Sequence, residues 1–223
     1  MAFRRVLGVV AVAAAAGLAV AGCAPIKMGA AAIIGDNSVS IAQLDTQAGL
    51  LTTAAKKYPP QGGLTQQQIT QATLTWLIRF QITDKLASQY NINPSQATLA
   101  TMYTSLKDQA QQQGETLDAF LVGAGIAPQK LPQVERYVAV EESYIAAANG
   151  GTLPATGSTA ATAAQNQYNH ATCVAAKSLN IKVNPQFGQL NYAQTSVVDT
   201  PDTVSLPSGT IKSSSPGGLS PDC

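Results

Sequence analysis

The sequence predicts a mainly α-helical protein with one small β-hairpin near its start, and three observations carry that expectation. The first is the stretch from Thr65 to Ile92, which holds the only tryptophan, Trp76, and the densest run of large apolar side chains. Leu74, Ile78, Ile82 and Leu86 recur every fourth residue, with Leu77 beside them, and so form one stripe on a helix. The second is a series of helix-start signals ahead of such stripes. The third is composition: aromatic residues make up 5% and charged residues 11%, so the chain can bury a modest helical core but no large aromatic pocket.

The amino terminus reads as an address. Arg4 and Arg5 precede an unbroken small and apolar run from Val6 to Val20, followed by Val20-Ala21-Gly22-Cys23. That run is shorter than the roughly 20 residues a spanning helix needs. Small residues ahead of Cys23 suit a narrow protease site. Removing residues 1–22 as a signal peptide leaves 11 basic against 12 acidic residues, a net charge of −1. No basic patch survives, so the footprint of nucleic-acid binding is missing. One histidine and three widely separated cysteines offer no spaced metal-ligand set, and no cofactor is expected.

Residues 23–30 form a short tether. Ala31-Ala32-Ile33-Ile34 reads as a strand, Gly35-Asp36-Asn37 as a tight turn, and Ser38-Val39 as a returning strand. Ser40 and Gln43 make a capping box ahead of a helix with Ile41, Leu44, Ala48 and Leu51, reaching about Ala55. Lys56 and Lys57 suit its negative end. Tyr58 to Gly63 cannot continue a helix. Thr65 and Gln68 then form a second capping box for the core helix, about 35 Å long at 1.5 Å per residue. Trp76 and Phe80 widen its apolar surface, which must therefore be covered on more than one side.

Asn93 caps the next helix in this reading, with Pro94 in its first position and Leu99, Met102, Tyr103 and Leu106 as its stripe. Thr116 caps a shorter helix carrying Leu117, Phe120 and Leu121. Leu131, Val134, Tyr137, Val138, Glu141 and Ile145 mark another helix that Asn149-Gly150-Gly151 stops. Residues 31–148 are taken as the main helical domain. Residues 149–161 are small and polar, a flexible linker by composition. Residues 162–192 supply a further helix and the alternating Ile181-Lys182-Val183, and 193–223, rich in Ser, Pro, Gly and Thr, read as a disordered tail.

Catalytic signals are missing. Glu141 and Glu142 are adjacent on a helix, so their side chains diverge by about 100° and form no acid/base pair by spacing; they read as a solvated face. His170 stands alone on a helix as a surface or packing residue, and no nucleophile elbow or phosphate loop appears. The chain is not expected to be an enzyme. Cys173 and Cys223 remain if Cys23 is modified, and they are either bridged or two free thiols.

Two resemblances add to this reading. Val20-Ala21-Gly22-Cys23 resembles the bacterial lipobox, which implies cleavage between Gly22 and Cys23 and a lipid on Cys23; the other reading is a secretory signal with a chance cysteine. Acyl chains that each gain about 0.8 kcal/mol per buried methylene would hold the protein on the extracytoplasmic face of the cell membrane. The order Ile34-Gly35-Asp36-Asn37-Ser38-Val39-Ser40, then Leu44-Asp45, Ala87 to Ser95, Thr116 to Leu121 and Gly125-Ile126-Ala127, resembles the N-terminal part of the SurA and PrsA group of extracytoplasmic chaperones. Asn184-Pro185-Gln186-Phe187-Gly188 resembles the closure that follows the isomerase in that group. Asp36 stands where the group often has glycine, with Gly35 one place earlier.

The resemblance implies a SurA-N-terminal-like helical domain in which a C-terminal strand returns to pair near Ile33 and Ile34. It also implies a holdase for unfolded or secreted polypeptides. A prolyl isomerase module of about 90 residues does not fit in a linker of about a dozen. Candidate client contacts are Trp76, Phe80, Tyr103 and Phe120, each of which also reads as packing. The alternative is an envelope lipoprotein that binds a single protein partner or a small ligand.

Overall fold

The computed structural model describes residues 29–200 and Cys223; the expected signal peptide, Gly22 and Cys23 lie outside them. Two strands open the fold, β1 (Ala30–Ile34) and β2 (Asn37–Ser40). Six helices follow: α1 (Ile41–Lys57), α2 (Gln66–Gln89), α3 (Gln96–Gln112), α4 (Leu117–Gly123), α5 (Leu131–Ala148) and α6 (Thr159–Ser178). Three short strands close it, β3 (Lys182–Val183), β4 (Gln189–Asn191) and β5 (Ser196–Val198). The described residues are thus mainly helical, with small antiparallel sheets drawn from both ends of the chain.

β1 sits in the middle of a three-stranded antiparallel sheet. It pairs with β2 through Ile34–Asn37 and Ile33–Ser38, and with β3 through Ala32–Val183 and Ile33–Lys182. Its unbroken apolar run fits this position, since four of its five residues are buried. The β1–β2 turn uses Gly35 at φ 58°, a region open to glycine. Gly35 N–H donates to the Leu179 carbonyl (2.6 Å), so the turn also holds the end of α6.

α2 is the hub. Leu74, Ile78, Ile82 and Leu86 are almost fully buried, in a cluster with Ala31, Ile34, Leu44, Val140, Tyr168 and Val197. Further along the molecule Ile69 packs with Leu51, Ala54 and Val122. On another side Trp76 and Phe80 lean on Leu106, Leu121, Ile126 and Val134. Burial on three sides explains why this helix needs so wide an apolar surface. At its start both halves of the capping box form: Gln68 N–H donates to Thr65 Oγ1 (3.2 Å) and Thr65 N–H to Gln68 Oε1 (2.8 Å).

Four local expectations are corrected. At α1 only one half of the box forms, the Gln43 amide donating to Ser40 Oγ (3.0 Å). The cap of α3 is Ser95 rather than Asn93, its Oγ accepting from Thr98 N–H (3.1 Å). Pro94 disfavours a helical conformation at Asn93, and Ser95 supplies an equivalent oxygen two residues later. α6 starts at Thr159, inside the expected linker, because Ser158 caps it and two alanines follow at once. Finally, 193–200 is not tail. β4 and β5 pair through Leu190–Val197, and Val197 is buried against α2, its N–H donating to Thr75 Oγ1 (2.9 Å). The remainder of the expected tail, 201–222, lies outside the described residues.

Candidate functional site

Two regions of α2 carry the features that bear on function. The first holds the sequence-derived aromatic candidates. Trp76, Phe80 and Phe120 are brought together around one apolar cluster, while Tyr103 on α3 stands apart and exposed. Trp76 is held from several directions. Its Nε1–H donates to the Ala124 carbonyl (3.0 Å), and its ring meets Phe80 at 5.7 Å and Tyr137 edge-on at 5.5 Å. Gly125, at φ 74°, brings the α4–α5 connection so close to α2 that a Cβ would stand 2.8 Å from that of Ala72. The space left there is about 20 Å³, bordered by Gln47, Thr73, Trp76 and Phe80. It has room for one water, and Gln47 Oε1 and Thr73 Oγ1 are buried there without partners among the described residues. No chain segment fits.

The second region is a polar cleft of about 480 Å³ between α2, α5, α6 and the loop joining β4 to β5. Arg79 enters it from α2. Its Nε and Nη2 donate to the carbonyls of Thr195 and Gln194 (both 3.1 Å), and its guanidinium lies 5.0 Å from the Trp76 ring centroid. These bonds hold the 193–196 loop against the helix. From α5 come Tyr137 and Glu141, one turn apart and therefore on one face. From α6 come Gln165, Tyr168, Asn169 and Thr172, again at helical spacing. Gln165 Nε2 donates to Glu141 Oε1 (3.1 Å), and Thr172 Oγ1 is buried without a partner among the described residues.

Burial sets the electrostatics of this cleft. The Glu141 carboxyl is raised above the usual range, chiefly because burial penalises its charge; Gln165 and Arg79 offset this in part. Tyr168 is pushed far up, first by burial and then by the neighbouring Tyr137 and Glu141. Tyr137 is raised for the same leading reason. The expectation of a solvated Glu141–Glu142 face is therefore corrected. Glu141 is half-buried and faces the cleft, and burial raises Glu142 as well.

The cleft was missed from sequence, although two signals pointed to it. Arg79 is the single charge between Gln66 and Thr83, inside the densest run of large apolar side chains. Glu141 falls in register with an otherwise apolar stripe on α5. A charge in an apolar register is either paired or placed for use.

The remaining candidates are distributed elsewhere. Cys173 and Cys223 are joined in a disulfide with Cα atoms 5.7 Å apart, and exposed His170 has Nδ1 2.6 Å from the Cys223 carbonyl oxygen. Among the described residues no group of side chains could hold a metal ion, and no helix is long and apolar enough to cross a membrane. No protein-family model matches the chain, and no curated protein and no solved structure shows significant similarity to it.

Proposed function

We propose that the chain is an envelope lipoprotein, held on the extracytoplasmic face of the membrane through Cys23, that binds a small polar ligand or one segment of a protein partner. The observation that carries this reading is the cleft between α2, α5 and α6. Arg79 and Glu141 both line it, and neither is in an ion pair among the described residues, where the one ion pair is Arg136–Asp84. Half-buried charges outside any ion pair are costly, and their place in a cleft gives them a use. Native mass spectrometry of the full chain purified in detergent tests it. A co-purified small molecule or peptide, lost when the cleft is altered, supports the reading; a bare chain that also crosslinks to no envelope protein overturns it.

The second reading is a chaperone-like holdase for unfolded or secreted polypeptides on a SurA-N-terminal-like scaffold, without isomerase activity. Topology favours it: β1 accepts both β2 and the returning β3, and the connection 149–158 has no room for an inserted module. Its expected contact residues favour it less, because Trp76, Phe80 and Phe120 are packed together. The exposed large apolar side chains among the described residues, Tyr90, Tyr103, Leu153 and Val174, lie on four separate segments. Light scattering of an aggregating client in the presence of the chain separates the two readings, since only a holdase suppresses it at near-stoichiometric ratios.

A further inference from the structure

We infer that the cleft takes a small zwitterion, an amino acid whose carboxylate meets Arg79 and whose ammonium meets Glu141. The inference rests on the ligand-binding reading above and names the ligand class. Both side chains line the same 480 Å³ space, a size within the range of small-molecule sites, yet they make no ion pair with each other. Among the described residues each is hydrogen-bonded only to neutral groups: Arg79 to two backbone carbonyls and Glu141 to the Gln165 amide.

Spare bonding capacity remains on both sides. A guanidinium carries five N–H donors, and the two carbonyls use two of them. A carboxylate has about four acceptor positions, and Gln165 occupies one. Thr172 adds a buried hydroxyl on the same wall, one helical turn from Tyr168. The rings of Tyr137 and Tyr168 border the space, and such rings accept an ammonium on their faces.

The charge pattern selects against simpler ligands. A lone anion at Arg79 faces the Glu141 carboxylate, and a lone cation at Glu141 faces the guanidinium. The end of a polypeptide brings one charge and leaves the other wall uncompensated. Only a molecule carrying both signs neutralises both walls at once.

The test uses the full chain in detergent, with binding followed by calorimetry and by amide chemical shifts. The probes are the ω-amino acids from glycine through β-alanine to γ-aminobutyrate, with acetate, methylammonium, N-acetylglycine and glycinamide as single-charge controls. At least one zwitterion is expected to bind about tenfold more tightly than every single-charge control, the gain of one charge-assisted contact. Shifts should centre on the cleft segments of α5 and α6. Glu141→Gln, which keeps the shape and an acceptor for Gln165, should reduce that zwitterion to the level of the controls while the chain stays folded.

Acetate or methylammonium binding as tightly as the best zwitterion overturns the inference and leaves the ligand-binding reading standing. Undiminished zwitterion binding by folded Glu141→Gln overturns it as well. Silence of the cleft amides toward every probe also overturns it; the broader reading then falls only if native mass spectrometry finds no bound molecule or partner.

Discussion

Two neighbouring sides of α2 treat their polar and aromatic groups in opposite ways. Around Trp76 the indole N–H is satisfied by the Ala124 carbonyl, the ring is packed by Phe80 and Tyr137, and the leftover space admits one water. Three residues on, Arg79 opens into a 480 Å³ cleft that Glu141 also lines, and among the described residues neither makes an ion pair. The first side is closed but for a one-water space where Gln47 and Thr73 leave oxygens without partners among the described residues, and the second stays open as a binding site does. Around Trp76 the aromatic side chains therefore mark stability, and in the cleft the misfit charges mark function.

The largest expected effect tests the first half of that comparison. Trp76→Ala removes a ring packed on two others and a satisfied N–H, and should destabilise the chain by about 3 kcal/mol, the lower end for large aromatic truncations because the site is only half-buried. Urea unfolding followed by circular dichroism measures it. A loss well under ~1 kcal/mol would place Trp76 on an adaptable surface and move weight to the holdase reading.

Gly188→Ala comes next, and it tests whether the cleft's outer wall depends on the β4–β5 hairpin. Gly188 has φ 120°, and an added Cβ would collide with the Val198 carbonyl. Strain of this kind costs about 1–3 kcal/mol. The damage should be local: hydrogen exchange at Val197 and Val198 should quicken and the loop held by Arg79 should loosen, while amides of α2 keep their protection. Uniform loss of protection across α2 would show that the hairpin is part of the core rather than a cover on it.

Glu141→Gln sharpens the second half. Burial raises the Glu141 carboxyl above its ordinary value of 4.5. Between 4.5 and that raised value the folded state binds more protons than the unfolded one, so stability falls as pH rises through this window and the deficit is complete above it. The substitution removes the deficit. It should therefore raise Tm at pH 7.5 and change little at pH 4. Glu142 and Glu135 are also raised by burial, so some slope persists. A charged group whose removal stabilises the fold is one retained for another reason. A drop in Tm at pH 7.5 would instead make Glu141 a structural partner of Gln165.

What could be read from the sequence divides along the same line. α2 was legible because one periodic stripe and one complete capping box specify it without help from the rest of the chain. β1, its turn at Gly35 and the start of α4 at Thr116 were legible for similar local reasons. The expected cap at Asn93 and the expected linker to residue 161 failed where two nearby residues, Asn93 and Ser95, could each serve, or where composition hid a cap at Ser158. The β4–β5 hairpin was illegible because strands of three residues carry no period, and their partners on α2, Thr75 and Arg79, lie more than a hundred positions away. The cleft was illegible for that reason too: its four walls come from 79, 137–141, 165–172 and 193–196. Only the misplacement of single charges in apolar registers betrays it.

The smallest expected effect concerns the one ion pair among the described residues. Arg136 Nε on α5 lies 2.9 Å from Asp84 Oδ1 on α2, with side chains 39% and 56% exposed. Water screens such a pair, and exposed pairs contribute about 0–1 kcal/mol. Arg136→Ala should therefore cost about 0.5 kcal/mol or less in low salt and nothing measurable in 1 M salt, read from urea midpoints at both ionic strengths. The pair nevertheless links the same two helices that carry Arg79 and Glu141. If apolar contacts such as Ile78 and Val140 set the spacing of α2 and α5, ligand affinity in the cleft should be unchanged by the substitution. A loss of affinity at full stability would mean that the surface pair tunes the distance between the two charged walls, and the cleft would then be sensitive to salt through a contact it does not touch.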